Sequence, residues 1–194
     1  MANSKFIQNA IEFKRIGVVK LFKSAGYDFM NEIEFPVDYR ITKVQRHYLL
    51  YDMMPPICRA ALSGDLQIFK LLVGYGCPLN SVGYVIHDDN YIYKTSPLGL
   101  ASAYGKRELV KYILGKISKS EVDFKCVSVP LKFETLQSAL GFDPTECTPL
   151  MLALIIREEA TADERFETIE LLIKKKADTS VRKSKGDNLL HMLA

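Results

Sequence analysis

The sequence predicts an all-α fold, a solenoid of stacked helix-turn-helix pairs, and three observations carry that expectation. The first is a recurring first-helix phrase, Pro56-Ile57-Cys58-Arg59-Ala60-Ala61-Leu62-Ser63-Gly64 and Pro97-Leu98-Gly99-Leu100-Ala101-Ser102-Ala103-Tyr104-Gly105. The second is a second-helix phrase that follows it: Val18-Val19-Lys20-Leu21-Phe22, Ile68-Phe69-Lys70-Leu71-Leu72, Leu109-Val110-Lys111-Tyr112-Ile113 and Thr168-Ile169-Glu170-Leu171-Leu172. The third is phasing, because the start positions Ile7, Ile57, Leu98, Leu150 and Leu190 fall at intervals of 40–52 residues. Self-similarity on this scale marks units that bury an apolar face only against their neighbours.

Each part of the phrase has a physical task. Ser or Thr ahead of Pro caps a helix, and Pro suits the first helical position because its missing N–H would be unpaired there. Ala60, Ala61, Ala101 and Ala153 let first helices approach one another closely. Gly64 and Gly105 permit the tight turn between the two helices, and Gly26 and Gly76 suit a left-handed cap at the end of the second. Leu71-Leu72 and its equivalents supply the buried side of the outer helix. Lys14 stands where the turn glycine belongs, so the first pair reads as a degenerate terminal unit. The pairs occupy about 5–31, 54–80, 95–117 and 147–180, with a partial copy at 186–194. Insertions fall at about 32–53, 81–94, 118–146 and 157–165. In the first insertion Ile41, Val44 and Tyr48 lie at helical spacing, predicting a short amphipathic helix over the edge of the stack. The third reads as one long loop, and the fourth lengthens a helical hairpin. Ala194 falls within the first helix of a fifth pair, which predicts an N-terminal fragment of a longer protein.

Cys147-Thr148-Pro149-Leu150-Met151-Leu152-Ala153 and Gly186-Asp187-Asn188-Leu189-Leu190-His191 give the pattern a name. With the second-helix phrases they resemble the ankyrin-repeat family, whose unit is about 33 residues with a Thr-Pro-Leu-His-x-Ala signature. The resemblance covers residues 5 to 194, as degenerate repeats with long insertions. It implies hairpins that project as fingers along a concave surface of inner helices, and a role in protein recognition. It also implies that His191 is structural, bridging backbone groups between repeats. Asn80, closing Tyr75-Gly76-Cys77-Pro78-Leu79-Asn80, becomes a candidate for asparaginyl hydroxylation, against the plainer reading of a turn Asn that bonds its own backbone.

Composition narrows the function classes. The chain has 194 residues, 48% hydrophobic and 25% charged, close to the average for globular proteins. Apolar runs are too short to span a bilayer, and the N-terminus lacks the pattern of a secretory signal. Cys58, Cys77, Cys126 and Cys147 show neither Cys-x-x-Cys spacing nor a zinc-ligand histidine, so they read as reduced structural thiols of a cytoplasmic or nuclear protein. Net charge is +3. That charge is unevenly placed, with Lys174, Lys175, Lys176, Arg182, Lys183 and Lys185 set against Asp178 alone. Such a run is usually a solvated helix end, and alone it argues weakly for nucleic acid. His47, His87 and His191 lie in unrelated contexts, and no phosphate-cradling loop or nucleophile elbow appears. The expectation is no enzyme, no cofactor and no metal.

Two surfaces stand out as binding candidates. Residues 81–94 contain Tyr84, Val85, Ile86, His87, Asp88, Asp89, Asn90, Tyr91, Ile92 and Tyr93, alternating β-branched and aromatic residues about an acidic turn, which predicts an extended β-hairpin finger. Tyr84, His87, Asp89, Tyr91 and Tyr93 are then candidate contacts near its tip, since tyrosine is a favoured interface anchor. The equal alternative is that the rings pack on each other to hold the hairpin. By register, the exposed side of the inner helices carries Leu62 and Ser63, then Ala103 and Tyr104, then Ile155 and Ile156. Tyr104 suggests an apolar groove for a partner helix or extended peptide, whereas a fold-back of residues 133–142 would explain Ile155 and Ile156. The function expected is a protein-interaction module working through its fingers and concave surface. The alternative is an intramolecular spacer docked on a downstream domain, itself catalytic or not.

Overall fold

The computed structural model describes residues 2–30, 54–87, 91–130, 146–155 and 160–180. The described residues are mostly helical, with one antiparallel sheet of four strands. In order, the elements are α1 (Ala2–Glu12), α2 (Ile16–Ser24), α3 (Pro56–Ser63), α4 (Leu66–Gly74), β1 (Gly83–His87), β2 (Tyr91–Thr95), α5 (Pro97–Ala103), α6 (Arg107–Leu114), α7 (Lys119–Val122), β3 (Cys126–Pro130), β4 (Glu146–Cys147), α8 (Pro149–Ile155) and α9 (Ala162–Lys174).

The helices form where the local chemistry asks for them. Pro56 and Pro97 sit in the first turns of α3 and α5. Ser96 accepts from the Gly99 N–H at 3.3 Å and Thr148 from the Met151 N–H at 3.4 Å, each occupying a donor that a helix start leaves over. Asp65 does the same for α4, accepting from the Ile68 N–H at 2.9 Å. Thr161 and Glu164 close a reciprocal capping box at the start of α9, and Ser118 with Glu121 does so for α7.

Turn geometry follows the glycine pattern and shows what its absence costs. Gly64 and Gly105 take φ of +71° and +61° between paired helices, and Lys14 adopts +54° at the corresponding place between α1 and α2. Likewise Gly26 and Gly76 take the left-handed conformation after α2 and α4, and Lys176 does so after α9 with φ of +66°. An L-residue bearing a Cβ is strained there by roughly 1–2 kcal/mol.

Helices α1, α3, α5 and α8 pack in succession, each also against the second helix of its own pair. Between pairs, α2 touches α4 and α6 touches α9. Small residues allow the close approach: Ala60, Ala61, Ala101, Ala103 and Ala153 are all buried. Every residue of α5 is buried, because α3, α8, α6 and the sheet surround it. In α4 the buried stripe is Ile68, Phe69 and Leu72, with Leu71 half-buried, so the register differs slightly from a Leu71-Leu72 pair. Arg59 of α3, itself buried, pairs with Glu12 of α1.

The insertion at 118–146, expected as one long loop, contains structure within its described part. It supplies α7 and the strands β3 and β4. Alternation in Cys126-Val127-Ser128-Val129-Pro130 gives β3 the two-residue period of a strand, and β2 offers it an open edge. The described fold therefore has more sheet than a hairpin alone. The amphipathic segment 40–49, the fold-back at 133–142, Ile156 and His191 lie outside the described residues.

Candidate partner-binding surface

The β-hairpin arises between α4 and α5, and its base is held by close contact. A Cβ on Gly83 would lie 2.7 Å from Leu100 Cδ1 and 2.8 Å from Cys58 Cβ, so only glycine lets β1 approach both α3 and α5. On the other strand Thr95 is buried, and Ser96 next to it caps α5. The hairpin is thus anchored at both feet.

Strand pairing fixes which residues share a face. Gly83 opposes Thr95, Tyr84 opposes Lys94, Val85 opposes Tyr93, Ile86 opposes Ile92 and His87 opposes Tyr91. Beyond β2, Tyr91 opposes Pro130 and Tyr93 opposes Ser128. Opposed residues share a face, and alternate residues along a strand return to it. One face therefore holds Val85, His87, Tyr91, Tyr93, Ser128 and Pro130, and the other holds Tyr84, Ile86, Ile92, Lys94, Val127 and Val129.

The expected tyrosine cluster is divided by this register. Tyr91 and Tyr93 share a face with His87. Tyr84 lies on the opposite face near the base, half-buried against the core, and is not a fingertip residue. Asp89 lies outside the described residues. In the order β1-β2-β3-β4, β1 is an edge strand, and its second edge has no partner strand among the described residues.

The inner-helix surface is smaller than expected. Tyr104, placed by register on the exposed side, is only 6% exposed, and Ala103 is fully buried. The reason is that α5 is central, so the side facing solvent in an isolated pair is covered by its neighbours. Tyr104 is a core residue and not an accessible anchor. Leu62 and Ser63 remain half-buried, and the Ser63 hydroxyl donates to the Ala60 carbonyl at 3.0 Å. Asn80 is exposed in the turn before β1.

Sequence reasoning missed three features. One is β3, whose alternating Val127 and Val129 were a usable signal. Another is an aromatic run between the first two pairs: Phe22 to Tyr27 at 5.5 Å, Tyr27 to Phe29 at 4.9 Å and Phe29 to Tyr75 at 5.4 Å. Lys23 sits over the Tyr75 ring, and Lys70 and Lys116 over that of Tyr112. The third is a set of exposed apolar side chains, Phe6, Phe13 and Leu21 on the first pair and Phe166 on α9, each more than 60% exposed.

Protonation behaviour at the described groups is structural in origin. Burial pushes the Cys77 thiol up to about 11 despite Lys23 nearby, and its Sγ lies 3.6 Å from the Phe29 carbonyl oxygen. Burial, aided by Asp28, raises the Tyr27 phenol. Hydrogen bonds from Ser118 lower the Glu121 carboxyl, and those from Thr161 lower that of Glu164. Among the described residues, no three His, Cys, Asp or Glu side chains gather as a metal site, and no helix is long and apolar enough to cross a membrane. No protein-family model matches the chain, and no curated protein matches it in sequence.

Proposed function

We propose that this chain is a non-catalytic protein-interaction module, an ankyrin-like solenoid of helical pairs whose enlarged hairpin receives a partner protein or peptide. The observation that carries the proposal is the anchored sheet, which sets His87, Tyr91 and Tyr93 on one face beside an edge strand. Tyrosines at such a site contribute large contact area with few torsions to immobilise, and an edge strand offers backbone donors and acceptors to an extended peptide. Leu62 and Ser63 on the inner helices extend the surface. Because the hairpin is held at Gly83 and Thr95, binding there costs little ordering entropy. The succession of α1, α3, α5 and α8 supports the ankyrin-like reading, as do the small residues between them and the glycine-bearing turns.

The test is an affinity capture with residues 1–194 against the Tyr91→Ala/Tyr93→Ala double variant, with folding checked by thermal melting. Capture by wild type and loss from the folded variant is the expected result. Equal capture by both removes the hairpin face from the account. Tyr104→Ala serves as the contrast: it should lower the melting temperature, because a buried aromatic truncated to Ala costs about 3–5 kcal/mol.

A further inference from the structure

Two of the four cysteines, distant in sequence, are brought opposite each other. In the β3–β4 ladder Cys126 is the register partner of Cys147, and Val127 that of Glu146. Directly opposed residues in an antiparallel pair have Cα atoms about 4.5 or 5.5 Å apart, depending on the hydrogen-bonding position, and they share a face of the sheet. A disulfide accepts Cα separations of about 4.4–6.8 Å. Register alone thus puts the two Cα atoms in the range a disulfide accepts. Cys147 is a buried thiol, next to Thr148 at the start of α8.

We infer that Cys126 and Cys147 form a reversible disulfide, a covalent modification site that staples the sheet to the helical body. The inference does not depend on the proposed partner. Sequence spacing alone gave no reason to pair these two cysteines, and ladder register supplies it. The bond forms by exchange with a small-molecule disulfide such as oxidised glutathione. A thiolate of the pair attacks one glutathione sulfur, and its S–S bond breaks to expel a glutathione thiolate. The second cysteine thiolate then attacks the mixed disulfide, the Cys126–Cys147 bond forms and the second glutathione leaves. Two protein thiols lose two electrons, one glutathione disulfide gains them, and the released protons remain on two glutathione thiols.

Its consequence is mechanical. β4 leads directly into α8, and β3 pairs with β2 of the hairpin. Linking β3 to β4 closes the chain segment between them into a ring and fixes the sheet's third strand to the body. Closing such a loop stabilises chiefly by restricting the unfolded chain.

The experiment equilibrates the 1–194 chain with mixtures of reduced and oxidised glutathione, traps thiols by acid and alkylation, and maps peptides by mass. The expected product is one peptide pair linking Cys126 to Cys147, lighter by two hydrogens, abolished by dithiothreitol and retained in Cys77→Ala. Oxidation should raise the melting temperature by several degrees in wild type and leave Cys126→Ser unchanged. Cys147→Ser changes a core position, so mapping the wild-type chain keeps the test independent of that variant's folding. Only glutathione adducts, or linkage of either residue to Cys58 or Cys77, would overturn the inference.

Discussion

At the scale of single residues, the clearest account is of backbone conformation. Lys14 and Lys176 occupy left-handed positions that glycine fills elsewhere in the chain. Replacing either with glycine removes Cβ strain but enlarges the unfolded ensemble, and the first effect is the larger. Lys14→Gly and Lys176→Gly should each stabilise by up to about 1 kcal/mol, measured by urea unfolding. Unchanged or lowered midpoints would show that these lysines are not strained. Acid sensitivity is also set by individual groups. Glu121 and Glu164 have carboxyls lowered by hydrogen bonds from Ser118 and Thr161. A carboxyl lower in the folded state than in the unfolded chain contributes stability above the unfolded value, near 4.3 for Glu. That contribution fades as pH falls through the lowered folded values. Melting temperature should therefore decline on acidification, and Glu164→Gln should show less of that decline while melting lower near neutral pH.

At the scale of elements, caps and turns were readable because their causes lie within a few residues. Pro97 after Ser96, and Gly105 after the helix it ends, determine local geometry with little help from the rest of the molecule. Asp65 is another such case: its carboxylate accepts from the Ile68 N–H, and Asp65→Ala should cost about 1 kcal/mol in chemical unfolding. A loss close to zero would mean that solvent satisfies that donor equally well. The strand β3 was harder to see. Its alternation is short, and its pairing depends on β2, more than thirty residues earlier in the chain. The hairpin itself was legible, yet the side on which each tyrosine lies was not. Facing follows from register, and one residue of slippage would move Tyr91 and Tyr93 to the other face.

At the scale of the whole molecule, burial depends on neighbours that a single pair cannot reveal. Tyr104 follows a helix whose isolated form would show it to solvent, but α5 sits between α3 and α8 and is covered by α6 and the sheet. Phe6, Phe13 and Leu21 are exposed on the first pair, which among the described residues packs against the helices of the second pair. The hairpin was thus legible in the sequence as an element, whereas Tyr104, which lies between pairs, was misplaced as an exposed contact. In the function proposed above, the anchored sheet receives a partner. Hydrogen–deuterium exchange of the 1–194 chain, alone and saturated with the partner obtained by capture, tests it most directly. The expected result is slower exchange confined to residues 83–95 and 126–130, strongest along β1. Protection confined to α2 or α9, with the hairpin unchanged, would contradict it.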